Sequence, residues 1–355
     1  MERDRAVRVK PASMQKAPER RRLTLAGGPL RLDLLSNPYG PSIRVQEALA
    51  SEDDLHLHDY QREATLKRRL GQMVGVPHEW IVLTNGADEA ILMAMLAQRA
   101  HGPVVIFPPT DPVQERLARL AGTDALMMPR NDRFTVDIDA SRSAELPRNG
   151  LAIVQSPNDP TGTVVSAADL IRLSRASRTV LLDERHGEYR GRSLVPLVRE
   201  FENLAVVQSL ETWAGLAGLP IAYIIARPQL AHTLEAHRPV TRVAAAAMIA
   251  AHATLDDLTY VRATTRRVRD EKAHLHRMLR KLNLLRPLPS WANFVLAKIE
   301  RGNAESIQQD LAARDIFVYR PIDLALDQHL RIAAATPETT RLLKEALVEI
   351  ALEIP

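Results

Sequence analysis

The sequence predicts an α/β fold in which helices cover both faces of a mostly parallel β-sheet. Short apolar runs recur along the chain with little alternation of polar residues, which is typical of strands that are buried on both faces. Amphipathic stretches of helical length separate these runs, which is the order found in βαβ units. Ligands bind such sheets beyond the carboxyl ends of the strands, so the loops after the strands are the candidate site.

The individual elements are predicted from the apolar runs and the helical stretches between them. Strands are expected at residues 80–83, 104–107, 151–154, 180–182, 205–207 and 221–225. Helices are expected at 87–98 and 112–120, and a long helical stretch at 242–282. From about residue 288 onward, strands at 294–297, 316–319 and 330–333 mix with helices, which predicts a separate small α+β domain.

Composition fits a globular protein with one large core and a smaller domain. The chain has 355 residues, of which 46% are hydrophobic and 25% charged. No apolar run approaches the roughly 18–20 residues that span a bilayer, and the N-terminus lacks the apolar core of a secretory signal. Because the chain has no cysteine, disulfides and thiolate chemistry are excluded. A cytoplasmic protein without a membrane partner is expected.

The predicted domain organisation places the excess positive charge in a tail. Residues 1–22 carry eight basic and three acidic side chains, whereas the whole chain has a net charge of only +4. Such a segment is expected to be a disordered, solvated extension, and no nucleic-acid partner is predicted. The parts are a basic tail (1–25), an N-terminal segment that packs with the small domain (26–50), a large domain (51–270) and a small C-terminal domain (271–355).

The loops carry an ordered series of motifs. They are Asn-Pro-Tyr-Gly-Pro at 37–41, His-Asp-Tyr at 58–60, Leu-Thr-Asn-Gly-Ala-Asp-Glu-Ala at 83–90, Pro-Asn-Asp-Pro-Thr-Gly-Thr at 157–163, Leu-Asp-Glu at 182–184, Gly-Leu-Ala-Gly-Leu at 215–219 and Leu-Arg-Ile at 330–332. The series resembles the class I/II aminotransferases, a fold-type I family that uses pyridoxal 5′-phosphate (PLP). Within that family it is most similar to the histidinol-phosphate aminotransferases and threonine-phosphate decarboxylases. The resemblance implies the PLP-transferase-like (aspartate aminotransferase) fold and a homodimer.

The resemblance also implies a lysine that forms a Schiff base with the cofactor. The position of that lysine, ahead of the motif at 215–219, is occupied by Thr212. A shift of the alignment does not restore it, because no lysine lies between Lys67 and Lys272. The sequence therefore predicts that the lysine chemistry of the family is lost, that the chain is not a functional transaminase, and that no cofactor is expected.

Some family positions keep a matching residue. Gly86, Ala87 and Asp88 form the former phosphate loop, at the start of a predicted helix. The resemblance implies that Asp183 is the partner of the pyridine nitrogen, that Tyr60 reaches across a dimer, and that Arg331 clamps a substrate carboxylate.

Other family positions carry replacements, most of which are acidic. Glu211 stands where a phosphate-binding serine is expected, and Pro220 where an arginine is expected. Asp111 replaces a stacking aromatic residue, Asp159 an asparagine and His186 a tyrosine. The sequence therefore predicts an acidic pocket that binds an amino acid or another amine-bearing small molecule.

Candidate site residues follow from these positions. The predicted catalytic residues are His186, Tyr60, Asp159 and Glu211; the predicted substrate-binding residues are Arg331, Tyr39, Asp111, Asp183, Asn158 and Thr212; no metal ligand is predicted. The predicted function is a PLP-independent enzyme of specialised amino-acid-derived metabolism. Three alternatives stay open at this stage: an inactive homologue that serves as a structural or regulatory partner, a PLP-binding enzyme that works without the lysine, and a divalent-metal site built from the same acids and His186.

Overall fold

The computed structural model describes residues 28–52, 60–238 and 242–354. The basic tail, together with His58 and Asp59 of the predicted His-Asp-Tyr motif, lies outside the described residues. The strands are β1 (Leu30–Arg31), β2 (Ile81–Thr84), β3 (Val104–Ile106), β4 (Ala125–Met127), β5 (Leu151–Gln155), β6 (Thr179–Asp183), β7 (Leu204–Ser209), β8 (Ala222–Ile225), β9 (Leu285–Pro287), β10 (Phe294–Ile299), β11 (Ile316–Phe317) and β12 (His329–Ala333).

Helices follow or precede most of these strands. They are α1 (Ile43–Ala50), α2 (Tyr60–Val74), α3 (Ala87–Gln98), α4 (Val113–Ala121), α5 (Ala140–Glu145), α6 (Ala167–Ala176), α7 (Gly187–Arg190), α8 (Pro228–Glu235), α9 (Ala245–Asp256), α10 (Leu258–Lys281), α11 (Ala304–Ala312) and α12 (Pro337–Glu353). Within the described ranges, no helix has the length and apolar character needed to cross a bilayer.

The main sheet has seven strands in the order β2-β8-β7-β6-β5-β3-β4. Strand β8 runs antiparallel to both of its neighbours, and the other neighbouring pairs are parallel. This confirms the predicted α/β class with a mostly parallel sheet. The inner strands β5, β6 and β7 consist almost entirely of buried residues, as expected for strands that helices cover on both sides.

Alternate residues of each inner strand face different cores. On one face, Val105 and Ala152 pack in a cluster that also contains Leu66 of α2. On the other face, Ile106 and Ile153 pack in a separate cluster. Burial of both faces explains why the strands appear in the sequence as continuous apolar runs.

A second group of elements forms the smaller core. The antiparallel sheet β12-β10-β9 packs with α10, α11 and α12 around residues such as Val295, Ile332 and Leu347. Strand β1 pairs in parallel with β11, through Leu30 opposite Ile316, so the N-terminal segment joins this C-terminal group of elements. This arrangement agrees with a small α+β domain, while the exact domain boundaries stay a prediction.

Two of the differences from the predicted secondary structure have a clear physical cause. The helical stretch at 242–282 is two helices, because Asp257 leaves the helical conformation and its side chain caps α10 by accepting a hydrogen bond from the N–H of Tyr260. Strand β4 is absent from the prediction because all three of its residues are exposed at the edge of the sheet. An exposed edge strand has no buried apolar run to identify it.

The topology brings the loops that carry the motifs to one edge of the main sheet. Thr84 at the end of β2 pairs with Ala222, and Ala222 pairs with Ser209 at the end of β7. The ends of β5 and β6 lie beside each other, since Gln155 pairs with Asp183. Parallel strands end at the same edge, so the loops after β2, β3, β5, β6 and β7 all meet there.

Candidate functional site

Asp183 at the end of β6 forms a buried ion pair with Arg185. The carboxylate is fully buried, and its two oxygens accept hydrogen bonds from the N–H of Arg185 (3.0 Å) and from its Nε (2.8 Å). The same guanidinium donates through Nη1 to Asp88 at 2.8 Å. Burial lowers the pKa of the Arg185 guanidinium, but the charges of Asp183, Asp88 and Asp111 raise it by more, so the net pKa is raised. Arg185 is therefore a permanent cation at this edge of the sheet.

Glu211 in the loop after β7 occupies the start of helix α3. Its Oε1 accepts a hydrogen bond from the N–H of Ala87 (3.0 Å) and another from the hydroxyl of Ser209 (2.9 Å). Gly86 has a φ of +82°, and a Cβ at this position would lie 3.0 Å from Oε1 of Glu211. A carboxylate at a helix N-terminus is stabilised by the free N–H groups and by the helix dipole.

Thr212 directs its side chain back to the preceding loop. Its hydroxyl donates to the carbonyl oxygen of Arg185 at 3.0 Å, and its own carbonyl accepts the N–H of Asn37 at 2.9 Å. Gly215 has a φ of +73°, and a Cβ there would lie 2.6 Å from the carbonyl carbon of Gly40. The motifs at 37–41 and 215–219 are therefore in direct backbone contact, which explains the glycine at 215.

Asp159 and Arg331 form a second ion pair, and both residues line a cavity. Nη1 of Arg331 donates to Oδ2 of Asp159, and Nη2 donates to the carbonyl of Asp33 at 2.6 Å. The guanidinium lies 4.4 Å from the ring centroid of Tyr319 and 5.5 Å from that of Phe294. Such cation–π contacts stabilise the position of the guanidinium between the two rings.

The cavity beside this pair has a volume of about 480 Å³ and is rich in acidic groups. Its charged and phenolic lining residues are Asp111, Glu115, Arg119, Asp159, Tyr319, Asp323 and Arg331. Burial, and then the charge of Asp159, raise the pKa of Asp111 from an ordinary value of 3.8 to about 6. We call this cavity the acidic pocket.

His186 is buried next to the acidic pocket without forming part of its lining. Its ring packs edge-on against Phe294 at 6.0 Å between centroids, and its Nδ1 has no hydrogen-bond partner among the described residues. Burial lowers the pKa of His186 to about 4, against an opposing effect of Asp159. The imidazole is therefore neutral at neutral pH.

Three further predicted site residues lie apart from the acidic pocket lining. Asn158 is fully buried, and its side chain bonds to Thr110, Arg130, Thr161 and the carbonyl of Pro109. Tyr39 packs against the large core, and the guanidinium of Arg267 lies 5.7 Å from its ring centroid. Tyr60 begins α2 and is 62% exposed, with the guanidinium of Arg242 at 4.6 Å from its ring centroid.

The structure therefore divides the acidic residues of the predicted pocket into separate groups. Asp111, Asp159 and Arg331 meet at the acidic pocket. Asp183 and Glu211 do not line this pocket, because the first pairs with Arg185 and the second with the N-terminus of α3. The catalytic or binding roles of all these residues stay predictions. Among the described residues, no group of three or more His, Asp or Glu side chains is arranged to hold a metal ion.

Sequence reasoning missed two residues that shape this region. Arg185 directly follows the motif at 182–184, so a basic residue two positions after Asp183 was the available signal. Tyr319 ends the predicted strand at 316–319, but nothing local indicates that its ring faces Arg331. That contact arises because Tyr319 bridges to Arg331 through backbone hydrogen bonds in both directions.

Comparison with known proteins establishes the family. The family description "Aminotransferase class I and II" matches residues 34–349. The histidinol-phosphate aminotransferase of Dehalococcoides mccartyi is 30% identical over 323 residues, which cover 90% of each chain. The chain belongs to the class I and II aminotransferase family.

Solved structures show the same fold. Histidinol-phosphate aminotransferase from Sinorhizobium meliloti in complex with PLP superposes with a TM-score of 0.81 at 23% identity, covering 91% of each chain. L-threonine-O-3-phosphate decarboxylase from Porphyromonas gingivalis gives a TM-score of 0.77 at 21% identity, covering 91% of this chain and 99% of the other. The resemblance found in the sequence motifs is thereby confirmed.

These comparisons correct two predictions. The prediction that no cofactor is expected is wrong, because the chain belongs to a family that uses PLP and a protein of the same fold is solved with PLP bound. The prediction that the chain is not a functional transaminase is also wrong, because a relative of 30% identity over 90% of the chain is named as an aminotransferase. The assignment of the lysine position to Thr212 stays a prediction.

The residues at the implied cofactor anchor points already have partners within the chain. Asp183, the predicted partner of the pyridine nitrogen, is bonded to Arg185 at 2.8 Å. The N–H of Ala87, in the predicted phosphate loop, is bonded to Glu211 at 3.0 Å. A phosphate at the amide of Ala87 would therefore have to displace Glu211, whereas the carboxylate of Asp183 can accept a further N–H beside Arg185.

Proposed function

We propose that this aminotransferase-family protein is an enzyme that binds an amino acid or another amine-bearing small molecule in the acidic pocket. The observation that carries the proposal is the pair of carboxylates from Asp111 and Asp159 beside Arg331 in one cavity of about 480 Å³. An amino acid has an ammonium group and a carboxylate, and this cavity offers a partner for each. The name of the relative above, histidinol-phosphate aminotransferase, also denotes an enzyme that acts on an amine.

The ammonium group would bind between the two carboxylates. Asp111 has its pKa raised to about 6 by burial and by the charge of Asp159. A cation placed near both carboxylates relieves their repulsion and favours the ionised form of Asp111. Oδ1 of Asp159 is buried without a hydrogen-bond partner among the described residues, so it is available to accept a ligand N–H.

The ligand carboxylate would bind to Arg331. Nε of Arg331 is buried and has no partner in the described part of the chain, while Nη1 is bonded to Asp159. A ligand carboxylate that takes Nε and the second N–H of Nη2, which lie on the same edge of the guanidinium, forms the bidentate contact that guanidinium groups favour. Nη1 then stays bonded to Oδ2 of Asp159, and the ammonium group of the same ligand donates to the free Oδ1.

Proton transfer is assigned to His186 and Tyr60 as part of the same proposal. The low pKa of His186 keeps its buried imidazole neutral beside the acidic pocket, and its unpartnered Nδ1 can accept a hydrogen bond or relay a proton. Tyr60 is exposed at the start of α2, and it would act from the second subunit of a homodimer.

A thermal-shift screen followed by calorimetry tests the proposal. The probes are arginine, lysine and histidinol phosphate, each compared with its N-acetylated form. We expect one or more free amines to stabilise the protein, and Asp111→Asn to weaken that binding at least tenfold, since a charge-assisted hydrogen bond contributes about 1.5–3 kcal/mol. Asp132→Asn, an exposed aspartate outside the acidic pocket, is the matched control. Equal binding of amines and N-acetyl derivatives would overturn the proposal.

A further inference from the structure

A second cavity, of about 530 Å³, lies between helix α7, helix α10 and the loop at 289–291. It shares no lining residue with the acidic pocket. Its walls come from Tyr189 and Arg190 of α7, from the middle of α10, and from Pro289, Ser290 and Trp291 of the loop. We call this cavity the basic groove.

Positive charge dominates the basic groove. Four basic side chains line it against one carboxylate: Arg190, Arg269, Lys272 and Arg277 against Asp270. None of the four cations has a carboxylate oxygen within 4 Å in the part of the chain that the structure describes, although ion pairs are frequent elsewhere in it. Unpaired cations that converge on one cavity create a positive potential that attracts an anion.

Two of these cations are held partly out of solvent. Nζ of Lys272 donates to the carbonyl of Ser290 at 2.6 Å, which fixes the ammonium group at the wall of the groove. Burial and the charge of Arg269 lower the pKa of Lys272 to about 8. Nη1 of Arg190 is buried and has no hydrogen-bond partner among the described residues. An anion in the groove would supply the missing partner and stabilise both charges.

The remaining wall is a large apolar surface. Trp291 is 52% exposed, although most aromatic side chains of its size are more buried. Its backbone is anchored, because its N–H donates to the carbonyl of Gly162 at 2.8 Å. An exposed indole on a fixed backbone offers a platform on which a flat ring can stack.

We infer that the basic groove binds a phosphate-bearing small anion with a flat ring, of the class of a nucleoside diphosphate. The phosphates contact Lys272, Arg190, Arg269 and Arg277, and the ring stacks on Trp291. The proposal is independent of the amine site, because the two cavities have different lining residues and opposite charge.

Isothermal titration calorimetry with the full chain tests the proposal, with adenosine diphosphate, inorganic pyrophosphate and adenosine as probes. We expect adenosine diphosphate to bind more tightly than pyrophosphate, and adenosine to give no measurable heat. Arg277→Ala, at an exposed position, should raise the Kd at least fivefold, and Lys272→Ala at least tenfold. Trp291→Ala should bring the Kd for adenosine diphosphate close to that for pyrophosphate while leaving the latter unchanged.

Control measurements separate the groove from general electrostatic attraction. Arg280→Ala removes one exposed charge from the same helix outside the groove lining, and it should change the Kd less than twofold. Asp111→Asn should leave the binding of adenosine diphosphate unchanged. The proposal would be overturned if Arg280→Ala weakened the binding of adenosine diphosphate as much as Arg277→Ala does. It would also be overturned if neither phosphate compound bound, or if duplex DNA bound more tightly than adenosine diphosphate.

Discussion

The carboxylate of Glu211 lies 3.0 Å from the backbone nitrogen of Ala87, at the N-terminus of helix α3. Ala87 belongs to the loop at which the family resemblance places the phosphate of PLP. A phosphate at the same amides would meet a like charge at close range. The affinity of this loop for the phosphate of PLP should therefore depend on this one side chain.

We expect Glu211→Gln to tighten the binding of PLP at least tenfold relative to the natural chain. Two unit charges 4 Å apart repel by about 4 kcal/mol at an effective dielectric constant near 20, and solvent screening reduces this figure. The substitution should also lower the free energy of unfolding by about 0.5 kcal/mol, because a carboxylate stabilises a helix N-terminus. An absorbance titration measures the first effect and urea unfolding the second.

Glu89→Gln is the matched control for this substitution. Glu89 is on the same helix, but its carboxylate bonds to the N–H of Asn85 at 2.6 Å and not to that of Ala87. An equal gain of PLP affinity in both variants would show that the overall charge matters and that the contact of Glu211 with Ala87 does not.

Removal of Arg185 should destabilise the fold strongly. In Arg185→Ala the fully buried carboxylate of Asp183 loses its counter-ion, and breaking a buried ion pair from one side costs about 3–5 kcal/mol. Asp88→Asn removes the other partner of Arg185, which is exposed, and should cost less than about 1 kcal/mol. Urea unfolding of both variants is the measurement, and comparable losses would contradict the assignment of Asp183 as the main partner.

The pH dependence of stability should report on Asp111. Its pKa is raised from 3.8 to about 6 in the folded state, so the folded protein holds a proton that the unfolded chain has already lost in this interval. Asp111 therefore destabilises the fold increasingly as pH rises from about 4 to 6, by up to about 3 kcal/mol above pH 6.

Asp111→Asn removes this penalty while keeping a side chain that can cap Val113. The variant should be more stable than the natural chain above pH 6 and equally stable below about pH 4. Thermal unfolding at a series of pH values measures the difference. A constant difference at every pH would show that Asp111 titrates normally.

Asn158 should matter more for stability than its position in a motif loop suggests. Its side chain is the common partner of Thr110, Thr161 and the buried guanidinium of Arg130. Asn158→Ala leaves these groups without that partner, and we expect a loss of about 2–4 kcal/mol in the free energy of unfolding. Asn303→Ala removes an exposed helix cap and should cost only about 1 kcal/mol. Similar losses in the two variants would contradict this role.

The strands of the main sheet could be predicted because their sequence pattern depends on burial alone. Residues 151–154 are apolar in a row since both faces of β5 are covered, and the structure extends the strand by one residue to Gln155. The edge strand β4 pairs only with β3 and is exposed, so it left no such pattern. The break between α9 and α10 depends on the side-chain cap of Asp257, which helical periodicity does not reveal.

The partners of the acidic residues could not be predicted from the sequence. Asp111 and Asp159 follow neighbouring strands, so their proximity is a consequence of sheet topology. Asp183 and Glu211 also follow neighbouring strands, but each has a closer partner in Arg185 or in the amide of Ala87. Which partner a carboxylate takes depends on distances of a few ångströms, which motif order does not determine.

Proton release on binding tests the amine site most directly. Calorimetry of the best amine from the screen, in two buffers of different ionisation enthalpy and at a pH below 6, counts the protons released by the natural chain and by Asp111→Asn. We expect the natural chain to release a proton as the ammonium group ionises Asp111, and the variant to release none and to bind at least tenfold more weakly. Equal affinity and equal proton release in the two proteins would contradict the proposed amine site.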